Sequence, residues 1–359
     1  MLKANYSSAT SDFDRELKDR VSKYLDNLGT DHYRTRSQFI LFYLLFSLIG
    51  IYRSFFYFDY AFWQTVIVLL VLGVHLIMAG TSILHELTHQ DIFKNKILNK
   101  AVLAVFDCLL CFSTIQYKLR HLKVHHSLTN VGEFDYDLDT NGVIRLSPSF
   151  ARQSIHRYQK IYAFLLYPIG IVHIAWIEDF KRFFTASVGV QKHEAWKKAD
   201  WIWLFLSKGI HFILFLFLPA KHFGWSSVLA SYFFVFFICG LGISLIFQVS
   251  HVNSKIMYFD KTPQDGVLDL PFSWYSHQLR TTANYGTKSF ITLLFTGGVN
   301  FQVEHHMFPN LSYWHLPAIN KIVKELSVKH NHPYFEFSTW FRAVQDHYFT
   351  LDKLGGDDS

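Results

Sequence analysis

Residues 61–89 read AFWQTVIVLLVLGVHLIMAGTSILHELTH, an apolar run that ends in the pair His85-x-x-x-His89. The part over 61–80 matches the ~20 residues that an α-helix needs to cross a bilayer. If the helix continues to residue 89, the two histidines share one face, with Cβ atoms about 5–6 Å apart. Two imidazoles so placed can bind one metal ion without adding charge. The stretch therefore predicts a membrane helix with metal ligands at one end.

The composition agrees with a membrane protein. Half of the 359 residues are hydrophobic and only 17% are charged, whereas soluble domains carry about 25% charged residues. Two apolar stretches, 101–116 and 161–177, are weaker candidates, and the first, which lysines flank, is as compatible with an interfacial or buried helix as with a span. Hydropathy predicts four transmembrane helices, at 39–58, 61–80, 201–218 and 225–249. The expected fold class is an all-α integral membrane protein with four transmembrane helices.

The distribution of basic residues predicts the orientation. The links 53–62 and 219–225 hold one basic residue each, whereas the polar segment 1–38 holds seven. The positive-inside rule therefore places both termini in the cytoplasm. We expect a cytoplasmic N-terminal segment, 1–38, and one domain over 39–359. A helical cytoplasmic cap would consist of 81–200 and 250–359, with every histidine group on the cytoplasmic face. If 101–116 or 161–177 crossed fully, the groups would be split across the bilayer.

Two further histidine groups and one single histidine have metal-ligand character. They are His121-x-x-x-His125-His126, Gln302-x-x-His305-His306 and His251, which ends the last apolar run. His121 and His125 repeat the spacing of the first pair, while His126 points about 100° away on a helix, toward a second ion.

The whole set predicts a site with two metal ions. A lone His-x-x-x-His among 20 histidines would be incidental, and one zinc ion needs only four ligands. Two iron ions would use all of the ligands, and Glu86 and Glu304 do not form the Glu-x-x-His pattern of soluble di-iron bundles. A histidine-rich di-iron site is our interpretation. The predicted ligands are His85, His89, His121, His125, His126, His251, His305 and His306, with Gln302 left open.

Residues near these groups carry weaker expectations. Second-layer partners should orient the rings, and the polar residues near the ligands in sequence are Asn130, Asp135, Asp137, Asn253 and Asn300. Outside the ligand set, we expect His75 and His211 to be hydrogen-bonded packing residues inside spans. Cys108-x-x-Cys111 is expected to pack, not to be a redox pair. His277 is expected at the surface, where the alternative is a contact with donor or substrate. Arg280 is a candidate for a head-group contact or for a salt bridge to the acidic loop 133–139. That loop lacks the glycine and glutamate spacing of a calcium loop.

The three groups resemble the histidine boxes of membrane fatty acid desaturases. The boxes are His85-Glu86-Leu87-Thr88-His89, Arg120-His121-Leu122-Lys123-Val124-His125-His126 and Gln302-Val303-Glu304-His305-His306. A third box that opens with glutamine, as Gln302 does here, resembles that of the front-end, delta-6/delta-5-like subgroup. The stretches 278–285 and 307–311 add to the likeness, which covers residues from about 20 to about 350.

The resemblance implies an activity and a cofactor. It implies two iron ions held by the box histidines and one histidine after the last span, which His251 matches. Such enzymes use O2 and two electrons to remove two hydrogens from a fatty acyl chain, with release of water. The carrier of that chain would be a membrane lipid or CoA. We expect an apolar tunnel between the cap and the membrane helices, and no catalytic residue beyond the metal ligands.

The resemblance also bears on the electron donor. No His-Pro-Gly-Gly haem motif of a fused cytochrome b5 occurs in these residues, so we expect a separate donor, ferredoxin or free cytochrome b5. Basic loops would attract such acidic proteins. The missing motif also favours a bacterial inner membrane over the endoplasmic reticulum. No basic run with interleaved aromatic residues suggests nucleic acid as a partner.

Three other functions are alternatives. A di-iron hydroxylase or sphingolipid-type desaturase would use the same metal for a different product. A haem cytochrome would need histidine pairs facing each other across spans. A divalent-metal transporter would need ligands at mid-membrane, where only His75 and His211 qualify.

Overall fold

The computed structural model describes residues 3–7, 11–28, 33–189, 191–260 and 266–356. The described chain is mostly helical, which agrees with the predicted class. Its α-helices are α1 Asp12–Asp26, α2 Tyr33–Tyr57, α3 Phe62–Met78, α4 His85–His89, α5 Lys96–Leu110, α6 Thr114–Lys118, α7 Gln159–His173, α8 Asp179–Thr185, α9 Lys198–Phe212, α10 Leu218–Phe223, α11 Trp225–His251, α12 Trp274–Thr281, α13 Phe290–Thr296, α14 Gln302–Met307, α15 Leu316–Lys329 and α16 Trp340–Gly355.

Short strands connect distant segments. Strand β1 (Lys3–Tyr6) pairs in parallel with β4 (Val267–Leu270), with Lys3 opposite Val267. Strands β2 (Ser187–Val188) and β3 (Gln191–Lys192) form an antiparallel pair, and β5 (Asn284–Tyr285) pairs in parallel with β6 (Glu336–Phe337). The pairing of β1 with β4 joins the N-terminal segment to the part of the chain that follows α11.

Wider π-helical turns join several of the helices. In the segments Ala79–Leu84 and Leu119–His125, each of which lies directly before or within a histidine box, the helix has π geometry. Such turns occur frequently at functional sites because they re-aim side chains without ending the helix.

Among the described residues, five helices are long and apolar enough to cross a membrane, whereas the sequence predicted four. They are Tyr33–Tyr57, Phe62–His89, Ser154–Thr185, Lys198–Phe223 and Trp225–His251. The additional helix contains the weak stretch 161–177. The other weak stretch, 101–116, lies in a pair of helices, Lys96–Leu110 and Thr114–His125, that is bent by 107°. By length and composition, the described residues thus contain one more candidate span than hydropathy predicts.

Helix α11 lies at the centre of the bundle, with α7 and α3 against it. Glycines allow the close approach on both sides. A Cβ atom added at Gly240 would lie 2.6 Å from Pro168 Cα, and one at Gly242 would lie 2.5 Å from Ile77 Cδ1. Since small residues let membrane helices pack backbone to backbone, α11 holds the helix that carries His85 on one side and α7 on the other.

The bend after α5 is fixed by buried polar contacts. Asp107 accepts from the backbone N–H of Thr114 at 2.8 Å and from Trp203 at 2.7 Å. Lys208 donates to the carbonyl of Cys111 and to Asp179, both at 2.7 Å. Cys111 itself packs with Ala175 and Phe236 and forms no disulfide, which confirms its predicted packing role.

The N-terminal helix packs against the third histidine box. Phe13, Leu17 and Val21 of α1 are buried in one cluster with Leu279, Val303 and Met307. Val303 lies inside the third box, and Met307 follows it directly. Residues 12–26 of the predicted N-terminal segment therefore contribute directly to the packing around the box helix α14.

Candidate metal centre

Four separate segments bring the predicted histidines together. They come from α4, from the π-helical segment 119–125 with its C-cap His126, from the last residue of α11 and from α14. Seven of the eight are buried, and His89 is half-buried. The rings of His125 and His251, far apart in sequence, have centroids 4.6 Å apart.

The histidines divide into two groups, each compact enough for one ion. His85, His89, His121 and His305 form the first group, and His125, His251 and His306 form the second. Within each group, the potential ligand atoms lie within 4.8 Å of one another. His126 lies between the groups. Its Nε2 is 3.2 Å from Nε2 of His121, and its ring stacks on that of His306 at 4.2 Å.

This division differs from the simple helical expectation for the second box. His85 and His89 share one group, as the i, i+4 spacing predicts. His121 and His125 belong to different larger groups and share only a smaller set with Asp137. The π-helical turns over 119–125 are wider than the 3.6-residue turns on which the prediction relied, so the spacing no longer fixes which ions the two rings face.

The donor atoms fit metal ions better than they fit each other. Nε2 of His85 lies 3.0 Å from Nε2 of His121, although a neutral imidazole has only one N–H to donate. Both ring nitrogens of His89 and Nε2 of His305 are buried without a hydrogen-bond partner among the described residues. Buried polar atoms without partners are costly. A cation held by Nε2 of His305 and by one ring nitrogen of His89 would give each of these two atoms the partner that it lacks.

The protonation of the rings also suits metal binding. Burial, reinforced by neighbouring imidazoles, lowers the pKa of His126, His305 and His306 well below the ordinary value. These side chains are therefore neutral near pH 7, and neutral imidazole is the form that binds iron, copper or zinc.

A buried carboxylate orients His125. Asp135 is fully buried and accepts from Nδ1 of His125 at 3.0 Å. The same carboxylate accepts from the backbone N–H groups of Asn130 at 2.9 Å and Asp137 at 3.1 Å. The bond to Nδ1 fixes the tautomer and leaves Nε2 free for a metal ion. Asp135 and Asn130 are thus second-layer residues, as their positions in the sequence suggest.

The partners of His306 were not found from the sequence. Nδ1 of His306 lies 3.1 Å from Oε1 of Gln278 and 3.2 Å from Oγ1 of Thr129. Both residues belong to other segments, so no local spacing signals the contact. Two residues on the second-layer list bond elsewhere: Asn253 donates to the carbonyl of Val249, and Asn300 accepts from Thr296.

The two box glutamates tie the ligand helices to distant segments. Glu86 accepts hydrogen bonds from Ser37 at 2.6 Å and from Gln90 at 2.9 Å, and it also bonds Ser312. This network connects the first box to α2 and to the segment before α15, so Glu86 supports the ligand helix.

Glu304 has the same role in the third box. It accepts from Asn284 at 2.7 Å, from Asn320 at 3.1 Å and from Tyr334 at 3.3 Å. Burial raises the pKa of Glu304 to about 7. Neither glutamate belongs to a ligand group among the described residues, which agrees with a site built from histidine.

Gln302 lies at the second group. Its Nε2 is 2.8 Å from Nε2 of His251 and 3.1 Å from Nε2 of His306, while its Oε1 is buried without a partner. The oxygen and nitrogen of an amide are assigned from the surrounding hydrogen bonds. With the amide turned over, the oxygen would face the same space as the two imidazoles, so its position is compatible with a ligand.

The expectation for His277 is wrong, because it is buried. Its Nε2 donates to the carbonyl of Thr129 at 2.9 Å, and its ring packs against Phe259 and Tyr6. Tyr6 of β1 and Phe259 cover the side of α12 that carries His277, and neither is close to His277 in the sequence.

Arg280 does not pair with the acidic loop among the described residues. Its guanidinium lies over the ring of Phe272 at 4.2 Å and donates to the carbonyl of Ser276 at 2.8 Å. The loop carboxylate Asp137 instead approaches Arg120 at 3.4 Å.

The histidines inside the spans make the expected hydrogen bonds. His75 Nδ1 bonds the carbonyl of Val71 at 2.8 Å, and His211 Nδ1 bonds that of Cys108 at 2.8 Å. The other nitrogen of His211 lies 3.0 Å from the hydroxyl of Tyr232. These contacts confirm the packing interpretation for both residues.

A cavity of about 800 Å³ adjoins the first histidine group. His121 forms part of its wall, and the ring of Tyr117 stacks on His121 at 5.0 Å. Apolar side chains of α3, α5 and α11 line much of the wall, among them Leu76, Leu109 and Phe247, and charged residues line another part. An apolar chain in this cavity would lie against His121, and the volume is within the range of pockets that usually hold small molecules, about 300–1,000 Å³.

Comparisons with known proteins agree with this site. A family model described as fatty acid desaturase matches residues 61–338, which include all the predicted ligands. The acyl-lipid (8-3)-desaturase of Physcomitrium patens is 29% identical over 87% of this chain, and the chain spans 65% of that protein's length. Acyl-lipid (8-3)-desaturase B of Dictyostelium discoideum is 30% identical, with 97% of this chain and 76% of the relative covered. The sn-1 linoleoyl-lipid 6-desaturase of Synechocystis sp. is 25% identical, with 80% and 79% covered.

Proposed function

The chain belongs to the fatty acid desaturase family, and on that premise we propose that it inserts a double bond into a fatty acyl chain at the carboxyl side of an existing one. One observation carries the proposal. Histidines from four segments converge into two groups, and His121 of the first group also forms the wall of an apolar cavity. A metal-ligand cluster that touches a chain-sized apolar space suits chemistry on unactivated methylene groups.

We further propose that the cluster holds two iron ions. The first would bind His85, His89, His121 and His305, and the second His125, His251 and His306, with His126 and Gln302 adjacent. Bound iron would supply the activation of O2 that removes two hydrogens from neighbouring methylenes. The protein orients the rings through Asp135, Thr129 and Gln278, while the apolar cavity holds the chain and excludes water.

The proposed carrier of the acyl chain is a membrane lipid. The cavity wall includes Ile169 and Ile177 of the segment 154–185, which are 57% and 55% exposed. We infer that the cavity opens toward lipid on this side. The polar part of the cavity wall carries both signs of charge, because Arg120 lies 3.4 Å from Asp137 and Lys181 lies 3.1 Å from Glu178. These lining residues leave no excess of cations for the phosphates of CoA, and the relatives described above include acyl-lipid desaturases.

We propose four membrane crossings, with 154–185 lying across the bundle on the side of the histidines. Three crossings between His126 and His251 would separate His251 from His125, whose rings are in contact. The contacts of the segment support this. Tyr167 bonds His347 of α16 at 2.7 Å, and Phe184 packs on Trp201 near the beginning of α9.

We place both ends of that segment at the histidine side of the α9–α11 hairpin, which turns at Gly224. Together with the positive-inside rule, this arrangement is compatible with a cytoplasmic site and cytoplasmic termini. A separate acidic electron donor would then reach the site from the cytoplasm, attracted by the net charge of +6.

The activity can be tested by expressing the chain in cells that are fed linoleate and by analysing their fatty acids by gas chromatography and mass spectrometry. We expect a new fatty acid with an added double bond on the carboxyl side. His305→Ala should abolish it and lower bound iron, whereas His330→Ala, which changes a histidine that pairs with Glu16, should not. Full activity in His305→Ala would refute the site, and a hydroxylated product would assign the related hydroxylase activity instead.

A further inference from the structure

A second groove shares none of its lining residues with the cavity beside His121. It has a volume of about 440 Å³ and runs between α13 and the first turn of α16. Its lining is mostly apolar, with Ile246, Ile291, Phe295 and Trp340 among the contributing side chains. Nothing in the proposed desaturation uses this space.

The groove is continuous with the membrane-facing part of the protein. Ile246 belongs to the candidate span Trp225–His251. Helix α13 is fastened to the end of another candidate span, because Ser82 donates to the carbonyl of Leu294 at 2.9 Å and Thr81 to that of Phe295 at 3.0 Å. The groove thus lies where the spans pass into the polar part of the chain, at the level of a bilayer's head groups.

The surface around the groove is unusually apolar for one that would face water. Phe290 is 62% exposed, Ile291 78% and Phe341 76%. Neighbouring exposed apolar residues of this kind mark interaction surfaces. Lys288, also exposed, lies at the rim. An apolar face with a basic edge is the pattern of a surface that sits in the head-group region of a membrane.

One polar atom in the lining lacks a partner. The indole Nε1 of Trp340 is buried and makes no hydrogen bond to any described residue. Tryptophan usually finds an acceptor when it is buried. Because this atom is closed to solvent, the groove meets Trp340 through the apolar part of the indole.

We infer that this groove binds one membrane phospholipid, with an acyl chain between α13 and α16 and the phosphate near Lys288. The site is separate from the substrate cavity and does not depend on the proposed reaction. It would attach the segment that carries β5 to the bilayer. Since Asn284 of β5 bonds both Glu304 and the backbone of Val303, the bound lipid would support the third box from the membrane side.

The tryptophan in the groove makes a direct test possible. Delipidated protein in detergent is titrated with phosphatidylglycerol that carries bromine atoms on one acyl chain, and tryptophan emission is recorded. The difference between the wild type and Trp340→Phe isolates the emission of Trp340. We expect quenching that saturates at one lipid per protein. Lys288→Gln should weaken the binding about fivefold, as expected for one basic residue near a phosphate.

Two variants with the same added volume serve as a matched pair. Ser338→Phe fills the groove and should abolish the saturable quenching, whereas Ser226→Phe, exposed at the far end of α11, should leave it unchanged. Ile291→Ser removes an apolar wall and gives a second way to weaken the site, should Ser338→Phe fold poorly. Iron content checks the fold of each variant.

Three results would overturn the inference. One is quenching of Trp340 that never saturates, and another is saturable quenching that persists unchanged in Ser338→Phe. The third is a dimer of the delipidated protein that dissociates on Ile291→Ser, because that result would assign the apolar face to a second copy of the chain.

Discussion

Replacing Asp135 by asparagine should weaken the metal centre selectively. The carboxylate is fully buried and accepts from three donors: Nδ1 of His125 and the backbone N–H groups of Asn130 and Asp137. An asparagine keeps the shape but has only one oxygen. Its NH2 group must then face at least one N–H donor, and that buried donor loses its acceptor.

The expected cost follows from these contacts. One buried donor without an acceptor destabilises the fold by about 1–3 kcal/mol. Losing the carboxylate that orients a metal-binding histidine typically lowers metal affinity about 10–100-fold, equivalent to about 1.4–2.7 kcal/mol. Because His125 belongs to the group with His251 and His306, the loss should affect the ion held there first. Iron content should therefore fall from two ions toward one per chain.

The assay equilibrates purified protein with increasing concentrations of an iron chelator and then measures iron per chain, with thermal unfolding recorded in parallel. Asp139→Asn is the matched control, since Asp139 lies in the same loop but accepts from the backbone N–H of Asn141 at 2.8 Å. Wild-type iron retention in Asp135→Asn would refute the reasoning. So would an equal loss of iron in Asp139→Asn, because the effect would then belong to the loop as a whole.

Three other perturbations probe the cavity, the packing around the third box and a buried base. Gly80→Leu should reduce desaturation with iron content unchanged, because Gly80 lines the cavity. Gly50→Leu is the control, since a Cβ atom at Gly50 would have nothing within 4 Å, and it should leave the product yield in the gas-chromatographic assay unaffected. Leu17→Ala removes a side chain with no exposed surface and should lower the free energy of unfolding by about 2–5 kcal/mol, with easier loss of iron; Val328→Ala, at a residue 84% exposed, should shift the thermal transition little. Burial lowers the pKa of His277 to about 4 from an ordinary 6.5, so this group costs the fold nothing above pH 6.5 and should lower its stability by about 3 kcal/mol as the pH falls from 6.5 to about 4. A melting series from pH 7 to 4 should be flatter for His277→Gln than for the wild type, and equal slopes would contradict the assignment.

The sequence predicted the ligands through local spacing. Apolar runs of membrane-spanning length and histidines at their ends are properties of short segments, so His85 and His89 could be paired from the i, i+4 geometry of one helix. The three histidine boxes at the ends of apolar runs, and their likeness to the desaturase family, required no knowledge of how the helices pack.

Other features depend on contacts between segments far apart in the chain. Hydropathy alone does not decide whether 161–177 crosses the bilayer, because a helix that packs against α11 can be as apolar as one that spans the membrane. His277 was expected at the surface because nothing near it in sequence announces that β1 and Phe259 cover it.

The tertiary structure also decided how the candidate ligands are divided between the two groups. The sequence by itself determined the class of the protein and which side chains are candidate metal ligands, because helical periodicity and hydropathy act over one or two turns. The pairing of His125 with His251, the support of His306 by Gln278 and the apolar cavity beside His121 arise only when four segments pack together. Packing is a property of whole helix surfaces and of the π-helical turns that re-aim them, and it cannot be obtained from the spacing within any one box.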